Sequence, residues 1–236
     1  MRITVLSRLR KNSLPIAGAV LGLAAGLAAH YVYAVHIRKA PGCGAADGKG
    51  LATDGPRLAL STEGPTRGPA GAQVVIVEWS DFQCPYCAKM EETLNKVQAK
   101  HGARVRLVYR HFPLPFHPLA MPAARAAAAA EMQGRFWEMH DFIFQHQGQL
   151  AAEGDYSGAA TNLGLDPVQF LKNAGGQEVA ERLRADQAEA SRLGVVSTPT
   201  FFVNGRPIVG FETEEPFNSM IDEELKNGIH IGKESP

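Results

Sequence analysis

The sequence predicts an α/β fold in which a helical insertion splits an open sheet, behind an N-terminal transmembrane or signal segment. Three observations carry this. The unbroken apolar run from Val74 to Trp79 reads as a strand covered on both faces, as in a parallel sheet. It leads directly into Cys84-Pro85-Tyr86-Cys87 and a segment with helical periodicity. A helical pattern from about 115 to 195 then separates this unit from a second strand-rich stretch, Thr200 to Phe211.

Taken in order, residues 1–13 carry Arg2, Arg8, Arg10 and Lys11 and read as a basic cytoplasmic segment. Residues 14–37 contain no Lys, Arg, Asp or Glu. At roughly 1.5 Å per helical residue this stretch is long enough to cross a hydrocarbon core of about 30 Å. Gly26-Leu27-Ala28 offers the small residues of a cleaved signal peptide, but apolar character continues through Tyr31, Val32, Tyr33 and Val35, which favours an uncleaved anchor. The expected location is the inner membrane, single-pass, with the domain facing the periplasm or cell exterior; cleavage would leave it soluble in the periplasm. Both place it in an oxidising compartment.

Residues 38–71 are rich in Gly, Pro, Ala, Thr and Asp and read as a flexible linker, with Leu58-Ala59-Leu60 as a short first strand. Cys43 lies in this linker. Ala40-Pro41-Gly42 lacks the aliphatic residue of a lipid-attachment site, so Cys43 reads as an unpaired or intermolecular thiol.

The folded region spans 72–236. After the Val74–Trp79 strand, Cys87, Met90, Leu94 and Val97 form one buried helical stripe, with Glu91, Glu92, Lys96 and Lys100 facing water, until His101-Gly102 ends the helix. Arg104 to Arg110 makes a second strand and completes a right-handed β-α-β unit, whose carboxyl edge carries the cysteines. Pro122 opens a helix through Ala123–Ala130; Phe136, His140, Ile143 and Phe144 share the face of another, and a third runs from about Gln177 to Leu193. The chain returns to strand at Thr200–Val203, turns at Asn204-Gly205 and continues from Pro207 to Phe211, as a type I′ hairpin requires. A final helix covers the sheet from about Glu214 to Lys226.

The 236 residues, 45% of them hydrophobic, suffice for one sizeable core, and 24 basic residues balanced by 24 acidic ones give no electrostatic case for nucleic acid. Three cysteines are too few for a disulfide-stapled scaffold; they make one working pair and one separate thiol. Two cysteines separated by two residues on a first helical turn can close a short reversible disulfide, and the helix N-terminus stabilises a thiolate on the first. The pattern points to thiol-disulfide exchange. Ser197-Thr198-Pro199 precedes a strand, where a cis X-Pro bond costs only about 0.5 to 1 kcal/mol and leaves backbone groups open to an extended substrate by strand addition. No nucleotide-binding motif appears and no cofactor is expected. A metal site has little to build on, since there is no second CxxC and no compact His pair. His117 and His140 read as a helix-start residue and a core histidine. Glu78 reads either as a proton relay for the second cysteine or as a strand-end carboxylate satisfied by a lysine or backbone group.

These residues resemble the thioredoxin superfamily, specifically the DsbA-like group, in EWSDFQCPYC at 78–87, HFPLPFHPLAMPAARAAAAA at 111–130, FWEMHD at 136–141 and STPTFFVNG at 197–205. The resemblance covers about 70–228 and implies a thioredoxin fold with an inserted helical domain. It also implies a protein thiol:disulfide oxidoreductase in which Cys84 is the exposed nucleophile and Cys87 resolves. Pro85 and Tyr86 lie between them, Thr198-Pro199 is a cis-proline element beside them, and Glu78 occupies a buried acidic position. The implied partners are exported proteins with cysteine thiols and a membrane redox partner that recycles the dithiol. The strongest oxidants of the group carry histidine where this chain has Tyr86, so the Cys84 pKa is expected below that of a free thiol but less lowered than with histidine there. A reductase or isomerase of the same fold is the alternative, and a metal-binding or static structural module the remaining one.

Overall fold

A computed structural model describes residues 57–150 and 153–228. The basic segment, the charge-free stretch 14–37 and Cys43 lie outside the described residues. Among those described, no helix is long and apolar enough to cross a membrane.

The sheet has five strands in the order β1-β3-β2-β4-β5, built from β1 (Thr66–Arg67), β2 (Val74–Ser80), β3 (Val105–His111), β4 (Thr200–Val203) and β5 (Arg206–Val209). Strands β2 and β3 run parallel, in register from Val74 opposite Val105 to Ser80 opposite His111; the other three pairings are antiparallel. Helix α1 (Pro85–His101) connects the parallel pair and α7 (Glu214–Asn227) closes the chain. Between β3 and β4 lie α2 (Ala120–Glu131), α3 (Phe136–Gln145), α4 (Glu153–Asn162), α5 (Pro167–Ala174) and α6 (Gln177–Leu193).

Alternation along β2 and β3 assigns the faces. Val74, Ile76, Val105 and Leu107 pack with Met90, Leu94 and Val97 of α1 and Phe217, Met220 and Ile221 of α7. The opposite set, Val75, Val77, Trp79 and Val108, packs with Ala190 and Val195 at the end of α6. Further along the first face, Glu78, Ser80, Tyr109 and His111 meet the insertion rather than more aliphatic core, and all four are buried. This polar end of an otherwise apolar face lies directly beneath the cysteines. The run Ala123–Ala130 lets α2 lie close to its neighbours: Ala124 and Ala128 pack on Val179 and Leu183 of α6, and the other face joins Phe136, Ile143 and Tyr156. The insertion is fastened to the sheet through Asp186 of α6, which accepts from Arg110 Nη1 at 2.9 Å and from the His111 backbone N–H at 3.0 Å.

The first strand differs from expectation. It lies at Thr66–Arg67, paired to β3, and is braced by Trp137 Nε1 donating to the Thr66 carbonyl at 2.8 Å. Leu58 and Leu60 instead tuck against the α6-side core, and the Leu58 N–H donates to the Gly205 carbonyl at 3.1 Å. Apolar side chains at 58 and 60 were therefore a packing signal, not a ladder. The Asn204-Gly205 turn has φ of 47° and 84°, as a type I′ hairpin demands. Glycine is also required at 205 for space, because a Cβ there would stand 2.6 Å from the Leu58 carbonyl oxygen. Strand β5 stops at Val209, earlier than the expected Phe211, and α7 begins at Glu214 as expected.

Candidate active site

Cys84 is the residue that caps α1, and Pro85 fills the first helical position, where a missing N–H costs nothing. The approach to it is shaped by Asp81. One Asp81 carboxylate oxygen accepts from the Gln83 N–H at 2.7 Å; the other accepts from the Leu114 N–H at 2.9 Å and pairs with His117 Nδ1 at 2.7 Å. Gln147, from beyond α3, donates to the carbonyls of Phe82 (2.8 Å) and Cys84 (3.0 Å). The dithiol is thus held from both the sheet side and the insertion. Asp81 lies inside the EWSDFQCPYC motif but carried no assigned role, and Gln147 had no motif to mark it in the sequence.

Both cysteines are free thiols. Cys87 is fully buried and Cys84 retains 4% exposure, so Cys84 is less open than the resemblance implied, yet it is the less buried of the pair. Thr198-Pro199 is cis and lies beside it: Cys84 Sγ is 3.7 Å from the Thr198 carbonyl oxygen, to which the protonated thiol donates. Tyr86 is exposed, with the Lys89 ammonium 5.6 Å from its ring centre.

Electrostatics separates the two thiols. A hydrogen bond from Cys87 is the main reason that the Cys84 pKa falls to about 6; burial opposes it, and the Cys87 and Tyr86 backbone N–H groups at the helix start and the Thr198 hydroxyl assist. Burial drives the Cys87 thiol well above the ordinary range, and the neighbouring Cys84 sulfur adds to this. One sulfur is a thiolate at neutral pH and the other a protonated donor to it. Because the Cys87 thiol is the largest stabiliser, Cys87→Ala is expected to raise the Cys84 pKa towards the free-thiol value of about 8.5. Cys87→Ser, which keeps a donor, should raise it less. Thiolate absorbance titration of the reduced variants checks this.

Glu78 is fully buried and neither carboxylate oxygen has a hydrogen-bond partner. Of the two sequence readings, the strand-end carboxylate satisfied by a lysine or backbone group finds no such partner among the described residues. Burial pushes its pKa up to about 7, weakly opposed by the Ser80 hydroxyl nearby, which does not reach hydrogen-bonding geometry. The same Ser80 hydroxyl lowers the Cys87 pKa, so Glu78 and Cys87 share a polar neighbour.

Two side chains read otherwise in the sequence join this region. Glu91 was expected to face water with Glu92; its side chain is only 17% exposed, because α3 of the insertion packs over that flank of α1. Burial raises its pKa to about 7. His140 is a core histidine as expected, with Nδ1 2.8 Å from Asp141 Oδ1 and Nε2 3.6 Å from Glu91 Oε1. Donor atoms of Glu91, His140 and Asp141 all fall within 4.8 Å of one another. A cation fits poorly there, since Asp141 is already neutralised by the Arg67 guanidinium at 2.9 Å and His140 Nδ1 is engaged.

A family model described as thioredoxin matches residues 61–223. The chain is 44% identical over 141 residues to a protein named Na(+)/H(+) antiporter NhaA 1 of Salinispora arenicola, an alignment covering 59% of this chain. The chain spans only 21% of the length of that relative. Among solved structures, a thioredoxin-like oxidoreductase from Silicibacter pomeroyi is 29% identical with a TM-score of 0.61, covering 69% of this chain and 92% of that one. The thiol-disulfide exchange protein alpha-DsbA2 from Wolbachia pipientis shares the fold at 18% identity and a TM-score of 0.61, covering 67% and 86%. The insertion, the cysteine pair at the start of α1 and the family match agree: the chain belongs to the thioredoxin family and has the DsbA-like architecture.

Proposed function

We propose that this protein oxidises dithiols of exported proteins through a reversible Cys84–Cys87 disulfide. The observation that carries the reading is the opposed pair of thiol pKa values, with Cys84 near 6 and Cys87 far above it. A stabilised thiolate on Cys84 favours the reduced form of the pair, and a stable reduced form makes the disulfide a good oxidant. Export is supported by the basic residues followed by the charge-free stretch 14–37.

The chemistry balances as follows. A substrate thiolate attacks Cys84 Sγ of the disulfide; the S–S bond breaks and Cys87 leaves as a thiolate, which takes up a proton. The second substrate thiolate attacks the substrate sulfur of the mixed disulfide, and Cys84 leaves as the thiolate that its surroundings stabilise. The substrate loses two electrons and the dithiol gains them. A membrane redox partner returns the pair to the disulfide. Glu78 carries the proton that Cys87 needs: with a pKa near 7 it can give or take one at neutral pH.

Equilibration with glutathione tests the direction. An oxidase is expected to show a potential well above the cytosolic glutathione poise of about −220 to −260 mV. A value near the thioredoxin value of about −270 mV would make the protein a reductase instead.

A further inference from the structure

The turn that carries Cys84 hangs from the chain that follows β3. Within residues 81–84 the Cys84 N–H donates to the Asp81 carbonyl at 3.0 Å and the Gln83 N–H donates to one Asp81 carboxylate oxygen at 2.7 Å. Asp81 therefore closes the turn with both its backbone and its side chain. The side chains and carbonyls of the turn are then tied to later residues. The second Asp81 oxygen accepts from the Leu114 N–H and from His117 Nδ1, and the Gln83 side-chain oxygen accepts from the Leu119 N–H at 2.7 Å. Gln147 holds the Phe82 and Cys84 carbonyls from the other side.

His117 stands between this buried carboxylate and solvent: its side chain is 19% exposed, against 0% for Asp81. The sequence read it as a helix-start residue, but Leu119 caps α2 and the imidazole turns back to Asp81. A carboxylate oxygen only accepts, so Nδ1 is the donor of this 2.7 Å bond. The imidazole is itself held in place. The His117 N–H donates to the Leu114 carbonyl at 3.0 Å, the Ala120 N–H donates to the His117 carbonyl at 3.1 Å, and the Phe116 ring meets the imidazole edge-on with centroids 4.7 Å apart. What stabilises a thiolate on Cys84 depends on such placement. The Cys87 thiol, the Cys87 and Tyr86 backbone N–H groups and the Thr198 hydroxyl act on a sulfur only where this turn puts it, since hydrogen bonds weaken steeply as distance and angle depart from their optimum.

We propose that His117 is a positioning residue of the exchange reaction: through Asp81 it holds the 81–84 turn so that the Cys84 sulfur stays within reach of its donors in the reduced form. The inference rests on the exchange reading above. Without the Nδ1 donor, that oxygen of the buried Asp81 carboxylate keeps the Leu114 N–H alone, and one of the ties between the turn and the stretch ahead of α2 is gone. Cys84 then takes up positions in which its donors are longer or bent. The reduced form loses stability, and the disulfide becomes the weaker oxidant. His117 acts on the chemistry from outside the pair of sulfurs, which is why neither the CxxC spacing nor the helix start points to it.

The test equilibrates the full chain with glutathione and, separately, follows alkylation of Cys84 against pH with the modified cysteine located by peptide mass. His117→Leu is expected to shift the equilibrium constant about fivefold towards the disulfide and to raise the Cys84 midpoint in step. His117→Asn returns an amide nitrogen to the place of Nδ1 and is expected to stay within about twofold of wild type. Asp81→Asn should shift both readouts the same way as His117→Leu, and combining the two should add little, as residues acting through one contact require. His117→Met is the second donor-free variant should leucine perturb folding. Urea unfolding of the reduced protein runs alongside. An unchanged glutathione constant and midpoint in the donor-free variants, whether or not stability to urea falls, makes His117 a fold staple and overturns the proposal. An asparagine variant that shifts as far as leucine overturns it as well. Failure of the wild type to equilibrate with glutathione at all overturns the exchange reading itself.

Discussion

Replacing Cys84 by serine is expected to abolish exchange, lowering the rate by about 10³-fold or more, whereas Cys87→Ser should stall the reaction at the mixed disulfide. The asymmetry follows from position. Cys84 is the residue of the pair with residual exposure, next to the Thr198 carbonyl, which makes it the accessible electrophile of the disulfide, and its pKa near 6 makes it the better leaving thiolate. Cys87 is sealed beneath it and can only attack or leave within the protein. Without Cys87, an adduct on Cys84 has no internal nucleophile to release it. Non-reducing electrophoresis of the full chain recovered from cells reads this directly, with Cys43→Ser in every background so that adducts report only on the pair at the start of α1. Cys87→Ser should collect client adducts and Cys84→Ser almost none; equal trapping by the two would reverse the assignment.

The second large effect concerns Glu78 and pH. A buried carboxyl with a folded-state pKa near 7, against an ordinary value of 4.5, keeps a proton that the unfolded chain has already released. Its contribution to stability is fully present below about pH 4.5 and is lost as pH rises through 7. The shift corresponds to about 3 kcal/mol across that window. Glu91 acts in the same direction and the same window, again because of burial. Glu78→Gln should therefore flatten the decline: compared with wild type, the variant loses markedly less stability between acid and mildly alkaline pH. Urea unfolding of the reduced protein at several pH values measures this, and parallel slopes for the two proteins would show that Glu78 does not titrate in the interior.

Much of this arrangement was legible before any coordinates, and the exceptions share one cause. The Cys84–Cys87 pair, the parallel β-α-β unit and the Asn204-Gly205 hairpin are encoded in residues near one another in the chain, where period, capping and turn chemistry speak for themselves. Glu78 could be flagged from its place six residues before Cys84, but its missing partners only emerge once β3, α1 and the insertion close around it. Glu91 shows the failure most clearly. Its helical period groups it with Glu92 and Lys96 on a wet face, and that period knows nothing of α3, which arrives from some fifty positions later to cover it. His140 was legible as buried beside Phe136, Ile143 and Phe144; that one ring nitrogen would be left facing a carboxylate was not. Strand β1 is two residues long and carries no alternation to detect, so the apolar pair Leu58 and Leu60 drew attention to the wrong segment.

The measurement that bears most directly on the account is alkylation of the reduced protein across a pH series, with each modified cysteine located by peptide mass. The account predicts that Cys84 is modified first, with a midpoint near pH 6, while Cys87 resists until well above the ordinary thiol range. Modification of Cys87 ahead of Cys84, or a Cys84 midpoint at the free-thiol value of about 8.5, would contradict it.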